Sequence, residues 1–529
     1  MNRNLILLIL AILFTSFLAL SIPIHTAEAS GTIYIRANGN VDPPTAPITS
    51  ADNVTYVLTA NINDSVTVQR DDVVVDGAGY TVQGAGSGNG ISLDGRVNVT
   101  IRHVTIEAFD IGILLSSSFN NSIEANNVTA NGQAGIWLSG SSANNSLAGN
   151  DVTANSGLGI WLLNSVSNVL SNNNVANNGA GIYLVSSPNN TLSSNAMGDN
   201  KHNFGVYGTD LSMFVQSVDT SNAVEGKPVY YIVSQSGIMI SNDSYAEVGY
   251  MSLVNCTNVT VQGLDLTNNI QGLLLAYTND SRIIGNNPAN NAAGIYLWTS
   301  TNNTLSDNNL TNNDIGIATY YSDNNSIFHN SMNNPTQTDA QYSTNIWDDG
   351  YPSGGNRWSD YNGTDTYNGL HQNETGSDGL GDSGYTIDAN NVDHYPLMGT
   401  YTSFNASPGQ AVQTISNSTI SSFTFNGTAI SFDVSGETGT IGFCRICIPT
   451  ALIGNTYRVF VNSTEVAYTT LPFSNSTSKY LYFNYTHSTQ EVIIIPESPP
   501  FLILLLLMTT TLLALIVYKR KRLPCRTPA

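Results

Sequence analysis

Charge is scarce in this chain: Asp, Glu, Lys and Arg make up 10% of 529 residues, where soluble domains carry about a quarter. Exposed helical faces draw on Glu, Lys, Arg and Gln, so a mainly helical fold is excluded and turn-rich β-structure is expected. Positive charge is scarcer still. Lysine is nearly absent outside the C-terminal tail, 17 Lys and Arg face 38 Asp and Glu, and the formal charge is -21. Phosphate binding runs on Lys and Arg, so nucleic acid is excluded as a partner. Four cysteines are too few for a disulfide scaffold. Long charged runs are missing too, and 41% hydrophobic residues argue against wholesale disorder.

Long apolar runs occur twice, once at each end. Arg3 precedes the run Leu5 to Ile24, and Ala27-Glu28-Ala29 follows as a small-x-small cleavage site, which predicts a secretory signal over 1–29. Residues 501–518 are apolar or hydroxyl-bearing, just long enough for a membrane-spanning helix, and Lys519-Arg520-Lys521-Arg522 opens a basic tail over 519–529. Cations on that flank place the tail in the cytoplasm and everything before the helix outside. The expected location is the cell surface, as a single-pass protein anchored through its C-terminal helix. Sequons such as Asn53-Val54-Thr55 and Asn258-Val259-Thr260 suit that exterior.

Between the two runs lies a repeat. A Gly followed by an apolar residue recurs at Gly90, Gly112, Gly135, Gly159, Gly181, Gly205, Gly272, Gly294 and Gly316, at spacings of 22 to 24 with one gap of 67. In phase with it run Asn126, Asn150, Asn173 and Asn195, then Asn286, Asn308 and Asn330. Three residues before each Asn stands Ile or Leu, and two after stands Val, Met or Leu, except for Pro288. Short apolar pieces separated by Asn and Gly turns at this period predict a coil of three short strands per turn, each turn resting on the last at ~4.8 Å. Apolar columns then fill a narrow core, and a buried Asn column is satisfied by amides bonding to the turns above and below. The crossover rule makes the coil right-handed.

The expected fold class is therefore all-β: a right-handed parallel β-helix over 71–344 with an irregular insert near 207–250. An N-terminal cap over 30–70 precedes it, and an acidic closing segment over 345–400 follows. From 403 to 496 apolar and polar residues alternate between turns, as in FTFNGTAISFDVSG and SKYLYFNYTHSTQEVIIIP. That predicts a small β-sandwich before the C-terminal transmembrane helix.

The columns, the insert ending in GKPVYYIV, and the runs NIWDDGYPSGGNRWSDY and DGLGDSGYTIDANNVDHYPLM resemble the NosD family over about 31–400. These are periplasmic or surface β-helix proteins of the wider carbohydrate-binding and sugar-hydrolase repeat group. The resemblance implies a right-handed parallel β-helix and raises an accessory role in copper delivery. The residues offer copper little: the histidines are scattered and Cys256 stands alone in the repeats, where a copper site needs clustered soft or imidazole ligands.

Three other sites are suggested. Nine acids between Asp348 and Asp393 face one Arg357, and a hard cation would relieve their repulsion. Asp378, Asp382, Asp388 and Asp393 are the candidate ligands of a structural calcium, with a solvated acidic loop as the alternative. At an outward phase beside the Gly columns come Trp137, Trp161, Tyr183, Tyr207 and Tyr296. Rings on successive turns form an exterior aromatic stripe that either stacks on pyranose rings or stacks on itself to stabilise the sheet. Paired carboxylates for hydrolysis need a shared column, and Asp94 with Arg96, Asp151, or Arg282 with Asp280 and Asp307 make no acid–base pair. The expected function is binding of envelope polysaccharide or glycoprotein by the stripe. A polysaccharide lyase, hydrolase or epimerase is the alternative, and copper delivery the third.

Overall fold

The computed structural model describes residues 31–245, 247–497 and 513–514. The signal over 1–29, the basic tail and all but Leu513 and Ala514 of the 501–518 span lie outside the described residues. Among those described, no helix is long and apolar enough to cross a membrane. The chain divides into two units, Met1–Thr191 and Leu192–Ala529.

The first unit is a parallel solenoid of the right-handed type with three strands per turn. Long strands Asn89–Asp94, Ile111–Ser116, Ala134–Ser139, Leu158–Leu163 and Ala180–Val185 stack as one face. Short strands such as Ser122–Glu124 and Asn127–Thr129 build the other two. Each inward apolar residue sits over its counterpart: Ile113 on Ile136, Ile123 on Leu147, Val128 on Val152. These side chains are fully buried. The cap is already part of the stack, because Thr32–Ile35 pairs in parallel with Ser65–Val68, which pairs with the first long strand.

Asparagine runs through every corner. Asn121, Asn145, Asn168 and Asn190 form one ladder, Asn126, Asn150 and Asn173 a second, and Asn131, Asn155 and Asn178 a third. In each, Nδ2 donates to Oδ1 of the next turn at 2.8–3.2 Å. The other Nδ2 proton reaches a carbonyl one turn back, as from Asn150 to Ile123 at 2.8 Å. Buried amides are thus paired without water.

In the second unit Ala196–Gly198 pairs with Ala223–Val224, and a hairpin at Glu225-Gly226 reverses into Lys227–Val233. That strand starts a new long-strand face with Tyr250–Val254, Gln271–Ala276, Ala293–Trp298, Ile315–Tyr320 and Thr336–Gln341. The irregular part of the insert is therefore shorter than 207–250. It covers about 208–222, with the helical turn Leu211–Phe214, and returns at 242–245 and 247–249 before the strand Tyr250–Val254. Pro288 is accepted inside Asn287–Ala289, where the ladder to the following turn keeps one register pair, Ala289 with Thr311.

After the solenoid come irregular chain and two tiny hairpins, then two antiparallel five-stranded sheets between 400 and 496. Side chains from both sheets share one core, with Val412, Ile446 and Leu481 facing Phe432, Val459 and Ile494. Arg445 leaves that core and enters the closing segment. Its guanidinium donates to the carbonyls of Asp378 and Pro352 and lies beside the rings of Phe473 and Tyr480.

Candidate carbohydrate-binding surface

The outward residues of the long strands stand in register as expected: Trp137 on Trp161, and Trp161 on Tyr183. The two indoles stack at 4.4 Å and 14°. Their surroundings, however, correct the expected exposure. Trp161, Tyr183, Tyr207 and Tyr296 are 6, 8, 9 and 7% exposed, Trp137 is half-buried, and the Nε1 atoms of Trp137 and Trp161 are buried without a hydrogen-bond partner. The four buried rings offer a sugar no open face, and Trp137 offers part of one.

In the second unit the cover over Tyr207 is supplied by that unit's own chain. After Tyr207 the chain folds back across the outer face of the long-strand sheet. Thr209 offers its carbonyl to the hydroxyl of Tyr277 at 3.1 Å and to Nε1 of Trp298 at 3.3 Å. Phe214 is fully buried against Tyr277 and Trp298. Tyr207 packs edge-on to Trp298 at 5.6 Å, and Tyr296 lies against Tyr320 at 5.4 Å. These rings are the apolar lining of a covered face.

Two other tyrosines are open. Tyr321 and Tyr342, 43% and 68% exposed, stack in parallel at 5.0 Å and 9°. They follow the long strands Ile315–Tyr320 and Thr336–Gln341, in a corner column that also holds Asn255, Tyr277 and Thr299. All five have φ between 47° and 53°. This left-handed corner turns the side chain off the sheet. Beyond it Tyr342, Thr344 and Ile346 are exposed while Ser343, Asn345 and Trp347 are buried, so alternate residues carry the open surface onward. Polar groups border the rings. Asp339 accepts from the hydroxyl of Tyr320 and from Nε2 of Gln341, and Asp323 accepts from the amide of Thr344 at 2.7 Å. An outward phase along strands does not reach this corner; its signal in the sequence is a tyrosine directly after a long strand.

The acidic segment gathers differently from the calcium expectation. Asp378 accepts from the amide of Leu380 and from Gln372; burial pushes its pKa up, with Arg445 opposing. Asp382 binds Thr364, Thr366 and Tyr367, whose donors outweigh burial and lower its pKa. Asp388 holds Asn390 and Asn391. Asp393 is buried and accepts from the amides of Asn356 and Tyr395 and from Nε1 of Trp358, yet burial still raises its pKa to about 7. The four aspartates thus have separate sets of donors. Asp365, one of the nine acids but not one of the four expected ligands, receives the amides of Asp378 and Gly379 on its carboxylate, and burial raises it to about 7.

Among the described residues no three His, Cys, Asp or Glu side chains are placed to hold a metal. His202 and His329 are buried, each with a pKa lowered by burial to about 4. The Cys256 thiol donates to backbone carbonyls, and Cys444 lies in the sandwich core. The described donors do not fit a copper site. Of the other candidates, Arg96 is engaged by Asp71 and the carbonyls of Gln69 and Asp94. Asp151 accepts from Asn174.

No curated protein matches the sequence. Among solved structures the A-module of mannuronan C-5 epimerase from Azotobacter vinelandii is 16% identical, over 60% of this chain and 90% of that one, at a TM-score of 0.23. A tailspike protein of Acinetobacter baumannii bacteriophage Fri1, a capsular polysaccharide depolymerase, is 8% identical over 83% and 79%, at 0.23. A tailspike protein of E. coli bacteriophage HK620, solved with a hexasaccharide, is 11% identical over 89% and 87%, at 0.29. At these scores none of them bears on what this chain does. Residues 30–229 and 219–363 match the profile described as periplasmic copper-binding protein (NosD). Most of the chain is thereby accounted for, and it belongs to the NosD family.

Proposed function

We propose that this protein is a surface-anchored β-helix that holds extended carbohydrate chains, polysaccharide or glycoprotein glycan, on the corner formed by Tyr321 and Tyr342. The supporting observation is the contrast in exposure. The other solenoid aromatics in register are buried or half-buried, whereas in this stacked pair Tyr321 lies between Trp298 and Tyr342, and Tyr342, 68% exposed, turns its outer face to solvent. Flat rings stack on the apolar faces of pyranoses, and neighbouring acceptors take the hydroxyls. Stacked solenoid turns keep the rings in place before a ligand arrives, so little ordering cost falls on binding. Anchoring through 501–518 would keep this corner outside the membrane, facing the envelope.

The test is retention of the purified full chain on immobilised cell-wall glycans. Tyr342→Ala should weaken retention at least tenfold while shifting the unfolding midpoint little, since this ring is two-thirds exposed. Undiminished retention in Tyr321→Ala and Tyr342→Ala would remove the corner from the function.

A further inference from the structure

We infer that the carbohydrate held on Tyr321 and Tyr342 is an uncharged pyranose chain and not a polyuronate, an inference that rests on the carbohydrate reading above. The observation is the charge around the rings. Asp339 stands on the strand that leads into Tyr342 and takes the Tyr320 hydroxyl and the Gln341 amide. Asp323, two residues after Tyr321, is exposed and takes the Thr344 amide. Among the described residues neither carboxylate has a cation within ion-pairing distance, although other aspartates of the solenoid do, such as Asp76 with Arg102 and Asp314 with Lys201.

Among the described residues of this unit, Lys201 pairs with Asp314, Arg282 stands on the short-strand face opposite Thr304, and neither Lys227 nor Lys479 makes an ion pair with Asp339 or Asp323. Arg357 is on a different face of the solenoid, in the strand that pairs with Ser331–Asn333. Arg445 is buried against the closing segment. Arg458 is paired with Glu465 in the sandwich. A bound chain therefore meets the outer face of Tyr342, the exposed edge of Tyr321 stacked beneath it and two carboxylates without an ion pair, on a protein whose formal charge is -21.

That combination sorts sugars by charge. A hydroxyl can donate to Asp339 or Asp323, and a charged acceptor makes a stronger bond than a neutral one. A uronate at about 7 Å from one of these carboxylates loses roughly threefold in affinity even in bulk water, and the loss repeats for every like pair along the polymer. Specificity here comes from the repulsive element as much as from the stacking. Dissolved salt should screen the exclusion, because both carboxylates lie near the surface.

The experiment is calorimetry or affinity electrophoresis of the full chain with cellohexaose, mannohexaose and hexagalacturonate, at low and at physiological salt, for wild type, Tyr342→Ala and Asp339→Asn. A neutral hexaose should bind at least tenfold tighter than hexagalacturonate at low salt and lose that binding in Tyr342→Ala. The gap should narrow at higher salt and in Asp339→Asn. Hexagalacturonate bound as tightly as the neutral sugars, and released by Tyr342→Ala, would overturn the charge selection and leave the carbohydrate reading intact. If no hexaose shows binding that depends on Tyr342, the carbohydrate reading itself fails and this inference falls with it.

Discussion

A buried asparagine in this solenoid is held on three sides. Nδ2 of Asn150 donates to Oδ1 of Asn173 and to the carbonyl of Ile123, while its Oδ1 receives both the amide and the side chain of Asn126. Removing such a group costs more than its own bonds, because the neighbours are left with buried polar atoms that water cannot reach. Asn150→Ala should therefore destabilise the protein by about 2–4 kcal/mol. Asn174, the residue after Asn173, is exposed, and its side chain donates across the surface to Asp151. Asn174→Ala should stay within about 0.5 kcal/mol of wild type. Urea denaturation of the two variants makes the comparison, and equal losses would show that the ladder is a surface ornament and not a structural one. The Asn126 column was legible from spacing alone. Its two companions were not separated from the general abundance of Asn, because their five-residue offsets fall in turns where Asn is common for its tolerance of left-handed backbone.

At the scale of the strand, the Gly that recurs with each turn has a steric cause. A Cβ on Gly135 would lie 2.5 Å from Cγ1 of Val152, 2.8 Å from the carbonyl oxygen of Gly159 and 2.9 Å from Nδ2 of Asn155. Gly112 and Gly294 meet the same kind of neighbours. The long strand thus passes over the third Asn ladder with room for a hydrogen only. Gly135→Ala should cost about 1–3 kcal/mol through overpacking and lower the thermal midpoint, whereas Gly149→Ala, with open space around it but φ of 63°, should cost about 1 kcal/mol through backbone strain alone. Turn period, inward columns and the β-rich closing module could be read from the chain because they follow from alternation and repeat. The gap of 67 could not. Tyr250 occupies the ladder position that Gly holds in other turns, so a regular turn looked irregular. The covered aromatic face failed for a related reason. Strand phase states which side a residue points to, and says nothing of a strap such as 208–216 that arrives from elsewhere in the chain to cover that side.

For the whole molecule, buried acids and buried histidines share the response to pH. Burial raises Asp365 and Asp393 to about 7 and also raises Asp307 and Asp378. These groups hold protons in the folded state that the unfolded chain releases above its ordinary carboxyl value of 3.8. Stability from this source is complete at low pH and is lost as pH rises toward 7. His202 and His329 act in the opposite sense. Burial lowers both from 6.5 to about 4, so the unfolded chain takes up protons that the folded one refuses, and stability is lost as pH falls from 6.5 toward 4. Across pH 4.5 to 6.5 the two effects oppose each other, two acids raised to about 7 against two histidines lowered to about 4, and the wild-type urea midpoint should change little. Removing one side exposes the other. In His329→Phe, which keeps an aromatic ring against Tyr401 where the imidazole stacks at 3.6 Å, stability should fall more steeply as pH rises over that window, by up to about 1.4 kcal/mol per pH unit for the one proton no longer offset. A wild-type midpoint that climbs steadily from pH 4.5 to 6.5 would mean instead that the amide and indole donors of Asn356, Tyr395 and Trp358 win over burial and keep Asp393 ionised in the fold, leaving the histidines to set the slope unopposed.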